Sequence, residues 1–402
     1  MILKNTLREV ARLQMEDVLS RDIGTRREAL GSFKPSPGFA TIISGIRRCG
    51  KSTLLRQLMA SEKGFYYFNF EDPRVAGFSL DDFSRLDSAF LEEFGESRTY
   101  FFDEIQNVEK WELFVRTGLD SGKRFFITGS NASLLSRELG TRLTGRHMRH
   151  ELYPFSYNEF LLFYGKKPGN DSFSQYLKSG GFPEYLKNAR KEAQNELFND
   201  IISRDIVVRH GIRSARALRE TSLFLVSNIG KEFSYNKLAA SFGLGSANTA
   251  ADFVSFLEDA YLIFQVPRFD YSLRKRIANP KKAYCIDNGL SSANSSSFSS
   301  DLGRLLENHV FLCLKRAGLE VFYFREKGEC DFIARDGRNA LSAIQSCLEL
   351  NEDNKARELS GLLEAMERLG LPSGTIVTLA QEDSFTLKGK RVRVVPAWKW
   401  KL

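Results

Sequence analysis

A parallel α/β sheet with helices on both faces, followed by a helical region and a smaller α/β unit, is the architecture this sequence predicts. Three observations carry it. Short apolar runs alternate with stretches of helical spacing in the first part of the chain, a glycine-rich loop follows the first run directly, and the alternation returns after a serine-rich stretch at residues 291–300.

Composition sets the frame. With 402 residues and 42% hydrophobic content, the chain can bury a full core in about two or three domains. No run reaches the ~18 apolar residues of a membrane span, and Met1 to Arg8 lacks an apolar signal core, so a cytoplasmic protein with no membrane partner is expected. Cys49, Cys285, Cys313, Cys330 and Cys347 contain no CxxC pair, and a strand would point His147 and His150 to opposite faces; neither disulfides nor zinc is expected. A net charge of +8 is compatible with a polyanionic partner.

The elements follow in order. An amphipathic opening (Leu7, Val10, Leu13, Val18, Leu19) ends at the breakers Lys34-Pro35-Ser36-Pro37-Gly38. Strands are expected at Ala40–Ser44, Phe65–Phe70, Thr99–Asp103, Arg124–Thr128 and His150–Pro154, with helices between them. Tyr157 to Arg209 reads as helical, interrupted by Gly180-Gly181-Phe182-Pro183. Tyr235–Gly243, a turn and Ser246–Tyr261 then resemble a winged helix, completed by a strand pair bracketing Arg274-Lys275-Arg276 and Lys281-Lys282. The serine-rich 291–300 reads as a linker. Beyond it come a helix (Leu305–Ala317), three strands (Val321–Arg325, Cys330–Ala334, Ala343–Leu348), a polar helix (Lys355–Leu369) and a closing strand.

The chemistry concentrates at Gly45-Ile46-Arg47-Arg48-Cys49-Gly50-Lys51-Ser52, a GxxxxGKS loop between a strand and a helix. Backbone N–H groups and a helix N-terminus attract phosphates, Lys51 reaches the β/γ-phosphates, and the Ser52 hydroxyl is placed for Mg²⁺. Gly45, Arg48, Cys49, Gly50, Lys51, Ser52 and Thr53 are the expected nucleotide contacts. The apolar strand Thr99–Phe102 ends in Asp103-Glu104, where Asp103 can hold Mg²⁺ and Glu104 can deprotonate the attacking water. Asn131, beyond the strand Phe125-Phe126-Ile127-Thr128, can hold that water or sense the γ-phosphate.

These motifs, with Ser136–Arg146 and Leu152–Phe160 after them, resemble prokaryotic AAA-type P-loop ATPases that carry a C-terminal domain of unknown function. The resemblance implies ATP and Mg²⁺ as ligands, with roles for Lys51, Ser52, Asp103, Glu104 and Asn131. It implies an arginine that neutralises developing charge, Arg146 or Arg142, acting in cis or across a homo-oligomer boundary. It divides the chain into an ATPase core (1–165), a helical and winged-helix region (166–290) and a C-terminal domain (301–402).

Glu307, Asp331 and Gln345 resemble the PD-(D/E)xK nuclease pattern, with Gln345 replacing an acid and Cys347 a lysine. Cleavage is not expected from so damaged a site, although Glu307, Asp331 and the Gln345 carbonyl leave a weak metal site on paper. Arg274, Lys275, Arg276, Lys281 and Lys282 fall where a wing would meet DNA phosphates, while Ser246–Phe253 offers few base-reading side chains, so DNA binding of low sequence specificity is expected. Two functions stay open: ATP hydrolysis coupled to DNA binding or remodelling, and a nucleotide-controlled switch whose C-terminal half docks a protein partner.

Overall fold

The computed structural model describes residues 1–130, 143, 145–188, 190–295, 301–339 and 341–402. They form two compact units, Met1–Tyr153 and Pro154–Leu402.

The first unit opens with α1 (Lys4–Ser20), whose Leu7, Val10, Ala11, Met15 and Val18 are buried at helical spacing. Its sheet contains β1 (Ala40–Ser44), β2 (Tyr66–Asn69), β3 (Thr99–Asp103), β4 (Arg124–Gly129) and β5 (His147–Glu151), all parallel, in the order β2-β3-β4-β1-β5. Helices α2 (Lys51–Met59), α3 (Asp82–Phe94) and α4 (Trp111–Asp120) supply crossovers. Every residue of β1 and β3 is buried, as a parallel sheet covered on both faces requires. Aromatic rings fill much of the space between layers; Phe83 stacks on Phe114 at 4.4 Å and Phe101 on Phe126 at 4.7 Å. The fifth strand lies earlier than the expected His150–Pro154, because its pairing with Ala40–Ser44 uses His147–Glu151 and Pro154 has no N–H to extend the ladder.

The second unit begins with helices Tyr157–Tyr164, Asn170–Ser179, Pro183–Asn188 and Lys191–Asp200, the last running into a π-helical stretch, Ile201–Val208. Helix Ala215–Ser227 follows, then β6 (Glu232–Phe233), helices Tyr235–Phe242 and Ala247–Asp259, β7 (Ile263–Pro267), helix Leu273–Ala278 and β8 (Lys281–Cys285). The strands pair antiparallel in the order β6-β8-β7. Arg274–Arg276 thus lie on a helix between two strands, and Lys281 and Lys282 lie within β8 rather than in a wing loop.

The serine-rich stretch is not a linker throughout. Asn288–Asn294 is a helix that buries Leu290, Ser291 and Ala293, capped by the Asp287 side chain. Helix Leu302–Arg316 leads into β9 (Glu320–Arg325), β10 (Glu329–Arg335), β11 (Leu341–Ser346), helix Glu352–Arg368, β12 (Ser373–Thr378), β13 (Asp383–Leu387) and β14 (Lys390–Pro396). These strands form one mixed sheet, β13-β14-β12-β11-β10-β9, on which Leu362, Ala365 and Met366 pack against Ile333, Ile376 and Val392. One closing strand was the sequence expectation; three are present.

Candidate functional site

The loop after β1 is shaped by its glycines. Gly50 precedes α2 in the left-handed region (φ 101°), and a Cβ on Gly45 would fall 2.2 Å from the Leu152 carbonyl oxygen. Arg48 also takes a positive φ (63°) and its side chain is exposed, whereas Cys49 is fully buried, so burial pushes its thiol pKa up. Lys51, 4% exposed, opens α2 and folds back over the loop, donating to Gly45 O at 3.1 Å and Ile46 O at 3.2 Å.

Strand β3 lies one strand away from β1, across β4, and delivers its two acids to the same end of the sheet. Lys51 Nζ stands 3.6 Å from Glu104 Oε1. Asp103, 2% exposed, accepts hydrogen bonds from Thr128 Oγ1, from Tyr67 OH at 3.3 Å and from Ser52. Thr128 also accepts the Glu104 amide N–H at 3.0 Å, so one hydroxyl from β4 fixes both acids. Glu104 sits in the left-handed region (φ 52°, ψ 43°), a costly conformation for a non-glycine residue that is kept only where surroundings over-determine it.

Electrostatics separates the two carboxyls. Burial raises the Asp103 pKa and neighbouring Glu104 raises it further, against the hydrogen bonds from Thr128 and Ser52 and the charge of Lys51. Burial also opposes ionisation of Glu104, but Lys51, Gln106 and Arg47 outweigh it and hold this carboxyl below the ordinary glutamate value. Lys51 is kept protonated despite burial by Glu104 above all. The result is an ionised glutamate beside an ammonium, next to a serine hydroxyl hydrogen-bonded to a buried aspartate. Thr128 and Gln106 are site residues that sequence reasoning missed; a buried threonine ending the run Phe125-Phe126-Ile127 was the available signal.

Other expectations fare differently. Asn131 and Arg142 lie outside the described residues. Arg146 precedes β5, its carbonyl accepting the Ala40 N–H at the start of β1 and its guanidinium pairing with Asp120 at 2.7 Å. The phosphate loop leaves the opposite end of β1, about 13 Å away at ~3.3 Å per residue, so Arg146 does not serve this loop within the same chain.

Glu307 and Asp331 do converge, around Lys282, which the sequence placed among the DNA contacts, and Gln345 joins them through the Asp331 N–H. Lys282 Nζ, reaching across from β8, lies 3.2 Å from Glu307, 2.7 Å from Glu329 and 3.6 Å from Asp331. Lys282 is 2% exposed, which removes it from the expected DNA contacts. Tyr284 OH donates to Glu307 at 2.6 Å, and Ser346 donates twice to Asp331, at 2.9 and 2.8 Å. Gln345 accepts the Asp331 N–H at 3.1 Å and donates to Glu358 at 2.7 Å, so its carbonyl is engaged within the fold. Burial, then Glu307, pushes the Asp331 pKa up to about 7. Among the described residues no group of three or more His, Cys, Asp or Glu could hold a metal ion, and the ammonium of Lys282 stands among the acids here.

Of the remaining basic residues, Arg274 and Lys275 are exposed. Arg276 pairs with Glu320 and lies over the Phe322 ring, and Lys281 donates to the carbonyls of Ile277 and Asn279. No described helix is long and apolar enough to cross a membrane.

Residues 38–161 match the family model of an AAA domain, which together with the strand order and the loop makes the first unit an AAA-type P-loop domain. Residues 170–301 match a domain of unknown function, DUF8612. Over 419 aligned residues the chain is 34% identical to the uncharacterized protein MJ1544 of Methanocaldococcus jannaschii, covering 96% of this chain and 91% of that protein. An uncharacterized protein of Haemophilus influenzae is 31% identical over 339 residues, covering 78% and 84% of the two chains. The chain belongs to the family of these two proteins. Among solved structures it is similar to Aeropyrum pernix Orc1, solved in complex with DNA (13% identity, 71% of this chain and 91% of that one, TM-score 0.32). It is also similar to Cdc6p of Pyrobaculum aerophilum (15%, 63% and 87%, TM-score 0.26), and scores this low carry no weight for function.

Proposed function

We propose that the protein is a Mg²⁺-dependent ATPase whose chemistry resides at Lys51, Ser52, Asp103 and Glu104. The observation that supports this best is the contact between an ammonium on the phosphate loop and an ionised glutamate on β3, beside a hydroxyl and a buried carboxylate. Triphosphate entering the loop takes Lys51 away from the carbonyls of Gly45 and Ile46 and gives it the β/γ-phosphates. Ser52 and Asp103 offer the hard oxygen donors that Mg²⁺ prefers, and an ion held by them would supply charge neutralisation for the triphosphate. Glu104, relieved of Lys51, accepts a proton from water directed at the γ-phosphate. Asn131 assists that water, and an arginine of a neighbouring copy, Arg142 or Arg146, completes the charge balance in a homo-oligomer. Glu104→Gln is the test: turnover falls by about 10²–10⁴ while ATP stays bound. Unchanged turnover removes Glu104 from the mechanism.

ATP turnover is coupled, in this reading, to DNA held by a winged-helix region within 166–290 and a nuclease-like but non-cleaving domain at 301–402. The order helix, β6, helix, helix, β7, short helix, β8 and the exposed Arg274 and Lys275 on that short helix support it. A second reading, docking of a protein partner, is favoured by the apolar side chains around those cations: Tyr271, Leu273 and Ile277 are 71%, 63% and 64% exposed. DNA that raises ATP turnover, with a steep dependence of binding on log salt, separates the two.

A further inference from the structure

The phosphate loop is held from behind by a residue distant in sequence. Arg27, 3% exposed, donates from Nη1 to Cys49 O at 2.8 Å and from Nη2 to Tyr153 O at 2.6 Å. Its position is set by Gln57 of α2, whose side chain accepts the Arg27 N–H at 3.1 Å and donates to Ile23 O and Thr25 O at 2.9 and 2.8 Å. Gly24 packs against Thr53, where a Cβ would come within 3.1 Å of the methyl group. Residues 23–27 are therefore fastened to the first turns of the phosphate-binding helix, and their arginine reaches under the loop.

The consequence comes from peptide geometry. The bond joining Cys49 to Gly50 is planar and trans, as every peptide bond described here is, so the Cys49 carbonyl and the Gly50 N–H point in opposite directions. A guanidinium that captures the carbonyl on one side aims the N–H to the other. We propose that Arg27 is a positioning residue of the phosphate site, which by binding the Cys49 carbonyl directs the Gly50 N–H at bound phosphate. Gly50 is itself adapted to this neighbour, because its φ of 101° disfavours any side chain and a Cβ there would lie 3.0 Å from Arg27 Nη1. The guanidinium also brings a second buried cation close to where triphosphate charge would sit, alongside Lys51.

The inference rests on the nucleotide-binding reading above, and its test separates the two. MgATP affinity is measured by calorimetry for the full chain and for Arg27→Ala and Arg27→Lys, with circular dichroism as the check on folding. Arg27→Ala is expected to bind about 10- to 100-fold more weakly, the worth of one charge-assisted hydrogen bond. Adding guanidinium at millimolar, non-denaturing concentration restores its affinity and leaves the parent chain unaffected, which loss of a merely structural contact would not do. Arg27→Lys keeps the charge but not the two-pronged contact, and is expected to fall between the other two. Should Arg27→Ala not fold, Arg27→Lys decides, and affinity equal to the parent overturns the proposal. Equal affinity in Arg27→Ala, or no rescue by guanidinium, overturns it as well. A parent chain that binds no MgATP refutes the nucleotide reading together with this one, whereas a parent that binds, with variants that bind equally, refutes Arg27 alone.

Discussion

Replacing Lys282 by methionine removes the one ammonium from a ring of acids while nearly keeping its volume. Three carboxylates lie within 3.6 Å of that nitrogen, and each retains something without it: Glu307 the Tyr284 hydroxyl, Asp331 the two donors of Ser346, and Glu329 an ion pair with Arg325. Buried Asp331 and half-buried Glu307 are left with hydrogen bonds but without the cation. Removing one partner from a buried pair costs about 3–5 kcal/mol, and two orphaned acids place Lys282→Met in that range. The sign of its pH dependence follows from Asp331, whose folded pKa rises from 3.8 to about 7. An acid raised in this way is protonated more readily in the folded chain, so its contribution to stability is greatest below its unfolded pKa and is lost as pH rises to about 7. Without Lys282 the acid is held protonated to still higher pH. Urea denaturation is therefore expected to show the full loss near pH 7.5 and a loss smaller by roughly 1 kcal/mol near pH 5.5. Adding Asp331→Asn to Lys282→Met should recover part of the stability at the higher pH only. A loss below about 1 kcal/mol, within the range of an ordinary surface pair, would refute the reasoning, as would an equal loss at both pH values.

Gly45→Ala should depress MgATP binding and cost about 1–3 kcal/mol of stability, because its Cβ would meet the Leu152 carbonyl at 2.2 Å; thermal melting compares it with Gly64→Ala, where nothing lies within 4 Å and little change is expected. If DNA is the partner, reversing Arg274 and Lys275 to glutamate should weaken it regardless of sequence and lower the slope of log affinity on log salt by at least about 0.9 per cation, measured by fluorescence anisotropy. An unchanged slope moves the partner to protein.

Legibility differed between the parts of the chain for physical reasons. Strands β1 and β3 could be bounded from sequence because they are short, largely apolar and closed by a glycine and by acids, and the phosphate loop was readable because its function demands fixed residue types at fixed spacing. The start of the serine-rich stretch, 291–294, misled because composition alone says nothing of an aspartate cap or of neighbours close enough to bury Ser291. The C-terminal hairpin of β13 and β14 was merged into one strand although Lys388-Gly389, both at positive φ, mark its turn. Arg27 escaped notice and Lys282 was read as a DNA contact for one shared reason: each acts on a partner more than 20 residues away, and no local pattern marks a long side chain that will be buried.

Triphosphate bound by the loop through Lys51 and hydrolysed with Glu104 is the chemistry on which the rest depends. Titrating MgATP into the folded chain in a calorimeter tests it most directly. Heat that fits one site per chain is expected, and it disappears in Lys51→Ala with the circular dichroism spectrum retained. No heat from the parent chain at millimolar MgATP, or equal heat from both chains, contradicts it.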